Sequence, residues 1–143
     1  MDVQVDTEIA RPREAVAGYL FDWRNDTAWI GGISEARRVD GGDFGVGSRV
    51  ARVAHFLGKR IEYVNEVVEL EPGRRLVMRS VQGPFPMRVT YDVEDADGRT
   101  RVRLRNEGDA SRVYRFAGPL IARAVRRVTQ RDLERLKRIL ESR

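Results

Sequence analysis

The chain has 143 residues, enough for one domain with a substantial core, and it contains no cysteine and a single histidine, His55, which excludes disulfides, thiolate zinc sites and multi-histidine metal centres within one chain. No run approaches the roughly 20 apolar residues of a membrane-spanning helix, and Asp2, Asp6 and Glu8 do not fit a secretory leader, so a cytoplasmic protein formed of one domain over residues 1–143 is expected. A formal net charge of +5 raises the question of nucleic acid, but the arginines are scattered among carboxylates, which argues against a phosphate-tracking surface; only the Arg-rich stretch from Arg123 to Arg138 keeps that option open.

Val3, Val5, Thr7 and Ile9 alternate with polar residues, the period of a half-buried strand. Pro12 then suits a first helical turn, with Ala15, Val16, Tyr19 and Leu20 at helical spacing, and a second short helix is predicted over Trp23 to Trp29. From Gly31-Gly32 to Gly108 the chain reads as six strands, at about Ser34–Val39, Gly47–Phe56, Lys59–Leu70, Arg74–Val81, Met87–Glu94 and Thr100–Glu107. Their short connections join antiparallel neighbours. The last element is an amphipathic helix with Leu120, Ile121, Ala124, Val125, Val128, Leu136 and Ile139 on one side, starting either near Ser111 or at Pro119.

The pattern predicts an α+β fold in the order β-α-α-β-β-β-β-β-β-α, with a sheet of about seven strands that is dry on one face and charged on the other. Antiparallel parity places Phe56-Leu57-Gly58, Gly83-Pro84-Phe85-Pro86 and Gly108–Phe116 at one end, an apolar set that reads as an entrance. Small residues in the first half of the last helix (Ala117, Gly118, Ala122, Ala124) predict a void beneath it on the order of 300 Å³ or more.

Several short motifs follow one another in order: Arg11-Pro12 opening a helix, Val16, Tyr19-Leu20, Asp22, Trp29, Gly45-Val46-Gly47-Ser48, Val67 to Val77 with its Glu71-Pro72-Gly73 turn, Asp97-Gly98, Asp132-Leu133 and Leu136-Lys137. In this order and spacing the whole chain resembles the SRPBCC superfamily, the START-like or birch-pollen-allergen fold, and in particular its polyketide cyclase/dehydrase and lipid-transport branch. The resemblance implies a helix-grip architecture, a curved antiparallel sheet wrapped around the C-terminal helix, with an internal cavity for a lipid, polyketide, isoprenoid or aromatic molecule. Members range from carriers to aromatase/cyclases, so fold alone does not decide activity.

The ligand-binding candidates are Trp29, His55, Tyr63, Met78, Phe85, Met87, Val89, Tyr91, Asn106, Tyr114, Phe116, Leu120 and Ala124. His55, Tyr91 and Arg52 are the weak catalytic candidates: histidine is the usual proton carrier near neutrality, and in cyclases of this superfamily tyrosines and arginines orient a polyketone. The face of Arg52 is not assigned by the sequence. Asp132 falls inside the apolar stripe of the helix and must pair or stay wet; Asn65, Glu66 and Asn106 are further strand polar groups able to face inward. No phosphate loop, triad order or spaced acidic cluster is present, so neither a metal nor a cofactor is expected. The leading expectation is binding or carriage of a small hydrophobic molecule. The alternatives are an aromatase/cyclase-like enzyme, for which His55, Arg52 and Tyr91 would have to converge, and an interaction module for an acidic partner, RNA or a membrane.

Overall fold

The alternating segments form seven strands and the segments of helical period form three helices in a computed structural model that describes residues 1–111, 113, 114 and 118–143. In chain order these are β1 (Asp2–Ile9), α1 (Arg13–Leu20), a 3₁₀ turn (Trp23–Asn25), α2 (Asp26–Trp29), β2 (Ile33–Arg38), β3 (Arg49–Phe56), β4 (Lys59–Glu71), β5 (Arg75–Gln82), β6 (Met87–Ala96), β7 (Arg99–Gly108) and α3 (Gly118–Glu141). The order is the one expected. All seven strands lie in one antiparallel sheet, β1-β7-β6-β5-β4-β3-β2, which leaves β1 and β2 as its edges. The 13-residue β4 carries register shifts at Val64/Asn65 and Val67/Glu69, and such bulges bend a strand and curl the sheet.

The concave face is apolar and the convex face is charged, where Arg105 with Asp2 (2.7 Å), Arg75 with Asp92 (2.9 Å) and Arg101 with Glu8 (3.1 Å) pair across strands. The second half of α3 fills one end of the concavity with Leu133, Leu136 and Leu140, all buried. Arg11, just beyond β1, donates to the Leu140 carbonyl (2.9 Å), a backbone acceptor at the helix end that the Arg143 amide reaches only at 3.4 Å. The described span of α3 begins at Gly118, with Pro119 beside it, and Ser111, Val113 and Tyr114 are not helical. Ala117 and Phe116 lie outside the described residues.

The β3–β4 connection turns through Leu57 (φ 50°) and Gly58 (φ 78°), and the β6–β7 connection through Asp97 (φ 51°) and Gly98 (φ 81°). Both have two positive φ values, as in tight hairpins whose twist matches that of the strands. At the entrance end Gly83 lets the β5–β6 loop lie on β4, because a Cβ there would stand 2.9 Å from that of Tyr63.

Candidate functional site

Beneath the first half of α3 the concavity holds two adjoining chambers. The outer one, of about 170 Å³, is walled by apolar side chains of the entrance, Phe56, Ile61, Phe85 and Tyr114, and by Ile121, Val125 and Val128 of α3. The inner one, of about 120 Å³, lies between α2 and the strands β3 to β7. Ile30, Ile33, Tyr63, Met87, Asn106, Thr129 and Asp132 face both. Each chamber is smaller than the expected void; only the two together are of that order.

The inner chamber is built by register. Arg52 of β3 stands opposite Tyr63 of β4, Val50 opposite Asn65, and Leu76 of β5 opposite Tyr91 of β6, so these polar groups share the concave face. Asp22 accepts from the Arg24 amide (3.0 Å) and sets the 3₁₀ turn that brings Asp26 over the sheet. Asp26 Oδ2 then accepts from Arg52 Nε at 2.6 Å, with the two residues 2% and 5% exposed. The two remaining guanidinium nitrogens reach only the Met78 sulfur, at 3.7 Å each. Burial works against the Arg52 charge, but Asp26, with smaller contributions from Tyr63 and Tyr91, holds Arg52 above its ordinary range. Burial likewise pushes the Asp26 carboxyl up, with Arg52 opposing.

Further polar atoms in this wall lack a protein partner among the described residues, including Trp29 Nε1, Asn65 Oδ1 and the hydroxyls of Tyr63 and Tyr91. Trp29 is fully buried and meets Tyr91 edge-on, with ring centroids 6.0 Å apart. Burial raises both phenols above their usual range, so they stay protonated and can donate. Asp132, 6% exposed, is paired rather than wet: its Oδ1 accepts from the Gly31 amide (3.0 Å) and from Arg135 (3.2 Å), and burial raises its carboxyl. Arg135 also donates to the Trp29 carbonyl (2.9 Å), which ties α2 to α3 over the chambers.

The structure brings together Trp29, Tyr63, Met78, Met87, Val89, Tyr91 and Asn106 around the inner chamber, with Arg52 facing inward. Phe85 and Tyr114 are in the outer wall, where the Tyr114 hydroxyl donates to the Phe56 carbonyl (2.7 Å). His55 does not join them. It borders the outer rim, but it is exposed and follows the inward Arg52 and Ala54 by alternation, with its Nε2 3.3 Å from the Ser34 hydroxyl. Leu120 and Ala124 are also corrected, because neither lines a chamber and Leu120 is 53% exposed; the inward line of α3 runs instead through Ile121, Val125, Val128 and Asp132. Phe116 lies outside the described residues. Asp26 was missed by sequence reasoning, since an acidic residue opening a short helix carries no sign of a buried partner. No group of three or more side chains suited to a metal occurs among the described residues, and no described helix is long and apolar enough to cross a membrane.

Solved structures share this architecture at low sequence identity. A START superfamily protein of Mycobacterium smegmatis superposes with a TM-score of 0.82 at 14% identity, over 99% of this chain and 97% of that one. The Zhui aromatase/cyclase of Streptomyces sp. R1128 gives 0.81 at 18%, over 100% and 94%. A protein of Thermus thermophilus gives 0.76 at 22%, over 99% and 95%. At these identities the likeness is one of fold. Among curated proteins none matches this chain. The family model described as polyketide cyclase / dehydrase and lipid transport matches residues 1–141, and the chain belongs to that family, within the SRPBCC superfamily.

Proposed function

We propose that the protein binds a small, mainly apolar molecule whose inner end carries carbonyl or hydroxyl oxygens. One observation carries this reading: an apolar outer chamber opens onto an inner one whose wall holds donors without an oxygen partner among the described residues, the hydroxyls of Tyr63 and Tyr91, Trp29 Nε1, and the two Arg52 nitrogens that reach only the Met78 sulfur. Burying about 200 Å² of ligand hydrocarbon is worth about 5 kcal/mol, which gives affinity without choosing a partner. The choice comes from the donors. Because Asp26 already balances the Arg52 charge, a neutral carbonyl suits the site better than a carboxylate.

The test is a calorimetric titration with 2-acetylnaphthalene and with its hydrocarbon counterpart 2-ethylnaphthalene. The ketone should bind about 10-fold tighter, the value of one satisfied buried hydrogen bond, and Tyr91→Phe should narrow that gap. Equal affinities, or no binding of the ketone, would overturn the reading.

The convergence of Arg52, Tyr63 and Tyr91 favours a second reading, a cyclase-like activity in which the donors hold and polarise a carbonyl and Asp132, facing both chambers, accepts a proton. The outward imidazole of His55 weighs against it. Incubation with a reactive poly-β-ketone distinguishes the two: a carrier leaves the spontaneous product distribution unchanged, whereas a cyclase shifts it in a Tyr91-dependent way.

A further inference from the structure

Among the described residues most arginines on the sheet are paired with carboxylates, Arg37 and Arg88 being exceptions, whereas on α3 a whole line of them is unpaired. Leu120, Arg123, Arg127 and Arg131 follow one another at helical spacings of three and four along the outer side of the helix, all exposed. None of these three arginines has an ion pair among the described residues. With Arg126, whose guanidinium donates to the Gln4 carbonyl (2.8 Å), they edge an open groove between α3 and β1. The acidic residues of that groove are Asp6 and Glu134.

The line begins at the mouth. Leu120 precedes Ile121, and Ile121 packs in the same cluster as Phe56, the neighbour of Leu57. Leu57 is 45% exposed and occupies a left-handed backbone conformation that disfavours a branched side chain. The opposite end of the sheet makes the same turn with Asp97, a residue suited to that conformation. Leucine at position 57 is thus a poor choice for the turn and an exposed one.

We propose that these features form a docking surface for an anionic lipid bilayer, engaged mouth first, with Leu57 and Leu120 entering the interface and Arg123, Arg127 and Arg131 resting on the headgroups. The charge of the line selects an acidic partner. Among the described residues the large apolar side chains exposed at its head, Leu57 and Leu120, are aliphatic, which favours lipid over RNA, since base stacking needs exposed aromatic faces. This goes beyond the proposed ligand site and does not require a guest to be bound.

The experiment is co-sedimentation with vesicles of phosphatidylcholine alone and of phosphatidylcholine containing about 30 mol% phosphatidylglycerol, which supplies the anionic surface. Binding should occur only to the acidic vesicles and weaken steeply at about 0.5 M salt, where screening is strong. Arg123→Gln, Arg127→Gln and Arg131→Gln together should lower it on the order of 100-fold, while the three lysine replacements keep it, because a headgroup layer reads charge rather than a fork of donors. Leu57→Asn with Leu120→Ser should weaken vesicle binding and leave binding to a single-stranded RNA probe unchanged. Equal binding to neutral vesicles, no binding to either, or RNA binding tighter than vesicle binding and indifferent to the leucines would each overturn the proposal.

Discussion

Asp26 and Arg52 are the most consequential residue pair in the protein, because each is a charge removed from water and held by the other at 2.6 Å. Asp26→Asn leaves a guanidinium buried without a counter-charge and is expected to cost about 3–5 kcal/mol in denaturant unfolding, whereas Asp26→Asn combined with Arg52→Met should cost much less than the two single changes added together. An additive double variant would contradict the pairing. Asp132 is tested through pH. Burial raises its folded pKa above the ordinary 3.8, so the stability it contributes is present below that value and is lost as pH rises through the folded one. Asp132→Asn keeps an acceptor for Gly31 and stays neutral, so the stability of the wild type relative to this variant should fall with rising pH just above 3.8; a pH-independent difference would refute the assignment. The inward turn of Arg52 was not legible in the sequence for a definite reason. In β3, Arg49 and His55 lie on one face and Arg52 on the other, so alternation alone does not say which charged face is buried.

Among the elements, the turns and strands were legible because their chemistry is local: Pro72-Gly73 and Asp97-Gly98 punctuate the chain, and Met87, Val89, Tyr91 and Val93 alternate cleanly. The inner line of α3 was less so. Its apolar arc is wide, and Leu120 and Ala124 lie on the edge of it, while position 132 reads as polar although it faces the chambers. The β4 bulges, which set the curvature, leave no mark in a sequence that stays strand-like throughout. The Leu57 turn offers a test at this level. Leu57→Asn places a residue tolerant of positive φ in the same hairpin and should raise stability by about 1 kcal/mol in thermal or denaturant unfolding. A loss of stability would mean that Leu57 contributes packing the fold depends on.

For the molecule as a whole, the closed end is a filled core and the open end a hollow. Leu133, Leu136 and Leu140 pack the sheet where α3 ends, and α3 leaves the two chambers unfilled by its own side chains where it begins. Arg135 and Asp132 hold α2 across that hollow, so the site is framed by rigid elements rather than by loops alone. The family places this architecture among proteins with many different activities, and the inner donors are what would give this chain its selectivity. The most direct test is a crystal structure with 2-acetylnaphthalene bound. It should show the ring under Ile121 and Val125 and the carbonyl oxygen within hydrogen-bond distance of Arg52, Tyr63 or Tyr91. A ring bound elsewhere, or chambers occupied by the protein's own side chains, would contradict the account.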